Sequence, residues 1–193
     1  MRALQIGVIA EDRSDVDVIR CLIGKLTSRQ FSTPYFVGKG CGPLQRKVPA
    51  WCKALESKGC GAITLIHDLD RNDPAQLRKK LETILTRATT RINAVVIPTK
   101  ELEAWLLADM DALRATFNLV KTPKVIHHPE TIASPKEHLG EIIRKNSKEK
   151  RRRYVNSVHN LTIAKHVSEK KILAKCPSFR VFGNFVKDVM HRG

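Results

Sequence analysis

The chain is poor in paired cysteine. Its five cysteines, Cys21, Cys41, Cys52, Cys60 and Cys176, are odd in number and form no C-x-x-C pair within 193 residues. A disulfide framework and a zinc ribbon both need paired or closely spaced sulfurs, so both are excluded, and reduced thiols packed as small hydrophobes are expected. Long apolar runs are also missing; none could span a bilayer. The apolar start, Met1 to Ala10, runs straight into Glu11-Asp12 with no cleavage-like segment, so it reads as a first strand, and a cytoplasmic protein without a membrane partner is expected. There is no internal repeat and no low-complexity linker. His127-His128, in a loop bounded by prolines, reads as a solvated pair.

Acid is scarce as well: 35 Lys and Arg face 19 Asp and Glu, for a net charge of +16. Residues 1–118 hold 18 basic and 13 acidic side chains, whereas 119–193 hold 17 and 6. A basic field around a local acidic cluster suits a protein that draws in a polyanion, DNA or RNA, while holding metal ions against it. Charge alone leaves other basic proteins in play.

A chain of this length buries one full core. Strand candidates Leu4–Ala10, Phe31–Val37, Ile63–Ile66 and Asn93–Ile97 alternate with helical stripes such as Leu77, Leu81, Ile84, Leu85 and Ala88. Four such alternations predict an α/β fold with a doubly wound parallel sheet. Residues 1–118 form this α/β unit, and 119–193 read as a basic helical extension packed on it.

The scarce acids stand where such a sheet places its chemistry. Glu11 ends the first strand, Asp68 and Asp70 the third, and Glu101 and Glu103 follow the fourth. Parallel strands bring these ends to one edge, the usual ligand crevice of an open α/β sheet. In an extended chain Asp68 and Asp70 face one side and Leu69 the core, and convergent carboxylates suit a hard cation such as Mg²⁺. Glu101 and Glu103 cannot both face one ion on a regular helix; Glu103 shares the inward face of Leu106, Leu107 and Met110, where an acid needs a partner or a cation, and is favoured. Asp15 and Asp17 are accounted for as first-turn acids of a helix capped by Ser14. Asp73-Pro74 and Ser134-Pro135 with Glu137 read as helix starts, and the stretch Glu101 to Asp109 is expected to open a helix. Gly38 to Pro43 reads as an ordinary turn. Lys100 and Arg71 stand beside the acids to offset phosphate charge. The run Lys150, Arg151, Arg152, Arg153 reads as a solvated face or a backbone tracker, with Tyr154 able to stack a base.

Glu11 with Asp15, then Asp68-Leu69-Asp70, resembles the Toprim domain of topoisomerases, bacterial primases, small RNA-maturation nucleases and OLD-family nucleases. The longer set Asp68-x-Asp70, Glu101-Leu102-Glu103-Ala104-Trp105-Leu106-Leu107-Ala108-Asp109, Ser134-Pro135-Lys136-Glu137-x-Leu139 and Ile172-x-x-x-Cys176-Pro177-Ser178-Phe179-x-x-Phe182 resembles a family of small bacterial Toprim-like proteins found beside ABC-type ATPases in phage-defence loci. The resemblance implies a Toprim/Rossmann-like sheet of about four strands and a metal-dependent nuclease. Glu11 would be acid/base or ligand, Asp68 and Asp70 ligands of Mg²⁺ or Mn²⁺, expected as a pair of ions, and Glu103 or Glu101 a further ligand. The stripe Phe179, Phe182, Val186, Val189 and Met190 reads as packing the last helix onto the body; the resemblance implies an ATPase partner too, and the helical region after Asp109, the Phe179/Phe182 face included, is where contact with it, or between copies, is expected. Two departures stand out: Asp12 replaces the usual glycine and should tighten the turn less well, and Lys100 replaces a frequent proline. A D-x-D phosphatase or nucleotidyl-transfer enzyme, and a catalytically silent nucleic-acid- or ATPase-binding subunit, are the competing readings; the D-x-D of haloacid-type phosphatases normally ends a first strand.

Overall fold

A computed structural model describes residues 5–28, 32–38, 40–148 and 153–192. Four short apolar runs become parallel strands, β1 (Gln5–Ala10), β2 (Tyr35–Val37), β3 (Cys60–Ile66) and β4 (Ile92–Val96), side by side in the order β2-β1-β3-β4. In β1 and β3 nearly every residue is buried, as expected of strands covered by helices on both faces. Ile9 pairs with Leu65 and Ile66 with Val96. From β1 the chain goes first to β2 on one flank and then to β3 on the other, so the crevice beyond the carboxyl ends of β1 and β3 is the switch point of the sheet.

Helices α1 (Arg13–Thr27), α2 (Cys41–Ser57) and α3 (Pro74–Ala88) connect the strands. After β4 come α4 (Glu103–Leu106), α5 (Met110–Phe117), a 3-10 turn at Pro129–Thr131, α6 (Pro135–Asn146), α7 (Asn156–His166), α8 (Glu169–Lys175) and α9 (Pro177–Arg192). The expected α/β architecture with a helical C-terminal region is therefore observed. One face of the sheet is covered by α2 and α3, which set Leu44, Val48, Leu77 and Leu81 against Ile9, Ile63 and Leu65. The other is covered by α1 together with helices from after β4, in a single apolar cluster that runs from Ile6 to Val189. Residues 1–118 and 119–193 thus share a core. Gly7 permits the close approach of α2, because a Cβ there would lie 2.8 Å from Leu55 Cδ1. Among the described residues no helix is long and apolar enough to cross a membrane, and Cys21, Cys52, Cys60 and Cys176 are free thiols.

Several local expectations are corrected. Asp12, not Ser14, caps α1: its carboxylate accepts the Asp15 N–H at 3.0 Å and Asp15 returns the bond to the Asp12 N–H. With φ −132 at Asp12 this turn needs no glycine, and a reciprocal cap stabilises it. The turn expected at 38–43 ends early, since α2 begins at Cys41 and passes through Pro49. The helix expected to open over 101–109 is only the short α4, and α5 starts afresh at Met110, because Asp109 turns extended and accepts the N–H groups of Asp111 and Ala112 at 3.1 and 3.4 Å. Lys171 and the Ser168 N–H hold the same carboxylate at 2.7 and 3.0 Å, which ties the break to α8. Ser134 makes no side-chain cap; Glu101 Oε2 reaches across to accept the Lys136 N–H at 2.9 Å. Finally, Phe179 and Phe182 are fully buried, with ring centroids 5.0 and 6.1 Å from that of Trp105. Their face is spent on the core and offers no contact surface.

Candidate active site

Beyond the ends of β1 and β3, Glu11 and the segment 67–70 are bonded directly. The Asp68 N–H donates to Glu11 Oε1 at 3.2 Å. His67, 1% exposed, places Nδ1 3.0 Å from the same oxygen and 2.7 Å from the Asp68 carbonyl. Two oxygen acceptors at Nδ1 put the proton there, and Nε2, 3.3 Å from Gln45 Nε2, is then the acceptor. Burial pushes the His67 pKa down, but the bond to Glu11 and the Asp68 carbonyl outweigh it and the net shift is upward.

Deeper in, Glu103 is 5% exposed at the start of α4. Its Oε1 accepts from the Tyr154 hydroxyl at 3.0 Å and from Asn160 Nδ2 at 3.1 Å. Asn160, fully buried on α7, also lies 3.4 Å from Ser14 Oγ and pairs with the Tyr154 hydroxyl. The inward acid therefore has the partners its burial demands. Burial, then Asp12, Glu103 and Glu11, push the Asp15 carboxyl up to about 8. Asp68 is held well above the usual carboxylate range by burial and then by Asp15, Glu103, Glu11 and Asp70. Asp15, Asp68, Glu103 and Glu11 thus form one electrostatic unit, and like charges this close cannot all ionise freely.

Asp70 stands at the rim of this unit, coupled to Glu11 and Asp68 but not on the buried side that Asp68 takes. It lines an open cleft of about 540 Å³ with Arg71, Asn72, Lys100, Glu101 and Glu137. Burial and then Glu11 raise its pKa, and His67 opposes the shift. The regular extension expected over 68–70 stops at Asp70, whose φ is 48, while Lys100 has φ 67, and the Asp70 N–H donates to the Lys100 carbonyl at 3.1 Å. Two non-glycine residues side by side in the left-handed region mark a strained rim of the kind that clusters at functional sites. Burial raises the pKa of Glu101, against the pull of its bond to the Lys136 N–H.

The structure thus joins Glu11, Asp68 and Glu103, and puts Asp70, Glu101, Lys100 and Arg71 at the cleft beside them. Among the described residues no group of three or more His, Cys, Asp or Glu is set tightly enough to grip an ion. The chemistry of the donor set nonetheless fits a hard divalent cation: the ligands are oxygens, and acids that hold protons under mutual repulsion gain from a positive charge. Tyr154 is corrected: its hydroxyl is turned inward onto Glu103, so it is not a base-stacking platform. Arg153 is exposed, and Lys150, Arg151 and Arg152 lie outside the described residues. Sequence reasoning missed Asp15, His67 and Asn160 as site residues. Asp15 carried a signal, an acid four residues beyond Glu11; Asn160 carried none. No curated protein and no solved structure matches the chain. Residues 10–187 match the family described as Domain of unknown function (DUF4276), and the chain belongs to that family.

Proposed function

We propose that the chain is a metal-dependent nuclease of the Toprim type, cleaving phosphodiester bonds in DNA or RNA. The observation that carries the reading is the coupling of Glu11 and Asp68, beyond the ends of β1 and β3, with Glu103 at the start of α4, at the switch point of a parallel sheet. Asp68, Asp70, Glu11 and Glu103 would hold Mg²⁺ or Mn²⁺, one ion or a pair, which supplies Lewis-acid stabilisation of the charge on the attacking and leaving oxygens. The contacts of Glu11 and Glu103 among the described residues each use Oε1, which leaves Oε2 of both to face a cation. His67 fixes the Glu11 carboxylate from behind, and Tyr154 with Asn160 fixes Glu103. Lys100 and Arg71, on the rim of the Asp70 cleft, meet a phosphate as it enters.

A nuclease with a strong basic field endangers its host, so we place its restraint in a separate ABC-type ATPase, in line with the sequence resemblance, and the whole in anti-phage defence. The test incubates the purified protein with Mg²⁺ or Mn²⁺ and plasmid, single-stranded DNA, transfer RNA and a small phosphoester, with and without the ATPase, ATP and a phage-derived trigger. Expected is slow cutting alone and a clear rise with the partner. Turnover of the small phosphoester alone would favour a phosphatase, and no cutting under any condition would leave a silent binding subunit.

A further inference from the structure

A second concavity, of about 590 Å³, lies between the segment 121–126 and one side of α6. Lys121, Lys124, Lys145 and His138 line it over an apolar floor of Ile126 and Ile142. The segment is pinned at one end, where the Val120 N–H donates to the Asn146 carbonyl at 3.0 Å, and Arg114 approaches Thr122 from behind at 3.4 Å. Among the described residues no carboxylate lines the groove. Glu141 pairs with Lys145 at 2.7 Å, but both side chains are more than half exposed, and such a pair contributes so little that a phosphate displaces it readily.

The position relative to the acids matters most. Glu137 lines the Asp70 cleft and His138, the next residue, lines this groove. The two concavities therefore flank α6, with the second running down the side of 138, 142 and 145. From residue 137 to 145 the helix rises about 12 Å, a distance that about three or four phosphates of a duplex strand cover.

We infer that this groove is a second nucleic-acid contact, which takes the phosphodiester backbone of the strand after it leaves the Asp70 cleft and crosses the first turn of α6. The inference rests on the nuclease reading for the identity of the polyanion. The chemistry of the lining defines the mode of recognition. Lysines supply point charges for phosphates, aliphatic side chains supply the floor, and among the described residues the lining offers the small His138 ring but no Phe, Tyr or Trp platform on which a base could stack. Binding here is therefore blind to base sequence and steep in salt.

The test measures binding apart from cleavage, in the full-length chain carrying Asp68→Asn. Labelled single-stranded and duplex oligonucleotides are titrated over a range of salt, before and after Lys121→Gln, Lys124→Gln and Lys145→Gln are combined. A control neutralises three exposed lysines of the opposite helical layer, Lys53, Lys79 and Lys80. The groove variant should bind on the order of tenfold or more weakly, with a duplex salt slope shallower by up to about 2.7, and the control should change far less. No binding of either probe before the groove is altered, an unchanged slope in the groove variant, or equal losses in both triple variants would overturn the inference. Failure of the nuclease reading shows differently, as groove-dependent binding with no metal-dependent cutting by the unaltered chain.

Discussion

On one face of the sheet α2 and α3 lay leucines and valines against Ile9, Ile63 and Leu65, and the nearest contribution to the acidic site is the Gln45 amide behind His67. On the other face α1, α4 and α7 pack just as closely and also carry Asp15, Glu103 and Asn160 into the acid cluster. Similar packing thus supports different duties: one layer mainly covers the sheet with apolar side chains, and the other covers it and also orients charge. A burial map alone would not tell them apart; the buried polar bonds do.

The largest expected effect lies at the shared edge. Asp68→Asn with Asp70→Asn should abolish Mg²⁺-dependent cleavage while leaving the fold intact or slightly more stable, since repulsion among the acids is relieved. Cleavage assays and thermal melts of the double variant decide this, and undiminished cutting would remove both residues from the mechanism. Next comes the polar layer. Tyr154→Phe removes a donor to Glu103 and should lower activity or metal affinity by about 10–100-fold. If it shifts the melting temperature but leaves cleavage and metal titration untouched, the orienting duty assigned to this face is wrong.

The apolar layer should answer in the opposite way. Leu81→Ala, at a fully buried position of α3, should cost about 2–5 kcal/mol of stability yet leave the cleavage rate per folded molecule unchanged. Denaturant titration beside activity normalised to folded protein measures both. The smallest effect concerns protons. Asp15 titrates at about 8 in the folded chain against an ordinary 3.8, so between those values the folded state holds the extra proton. Its contribution is most favourable below the lower value and declines as pH rises towards the upper one. In chelator, Asp15→Asn should therefore melt like the parent near the acid end and increasingly above it as pH approaches 8. A difference that stays constant with pH would show that Asp15 is not held protonated.

Much of this was legible from the residues in order. Glu11, Asp68 and Asp70 stood out because an acid at the end of an apolar strand is a local signal, and parallel strands bring such ends together. The capping of α1 was misread because Asp12 and Ser14 are both good caps, and only the backbone angle at Asp12 chooses between them. The stripe of Phe179 and Phe182 was read as both a packing face and an outward surface; Trp105, whose partners cannot be seen in its own neighbourhood, decided for packing. The bonds of Tyr154 and Asn160 to Glu103 were opaque because they span 51 and 57 positions, and no periodicity encodes a contact of that range, so Tyr154 was read as a stacking platform and Asn160 not at all.

That span also orders events during synthesis. A ribosome releases the chain from its N-terminus, so Glu11, Asp68 and Glu103 emerge well before Tyr154 and Asn160. Until they emerge, Glu103 lacks its two donors, and until α9 follows, Phe179, Phe182 and Val186 are missing from the core behind it. A nascent chain stalled before Tyr154 should therefore carry all the acids of the cluster and no finished site.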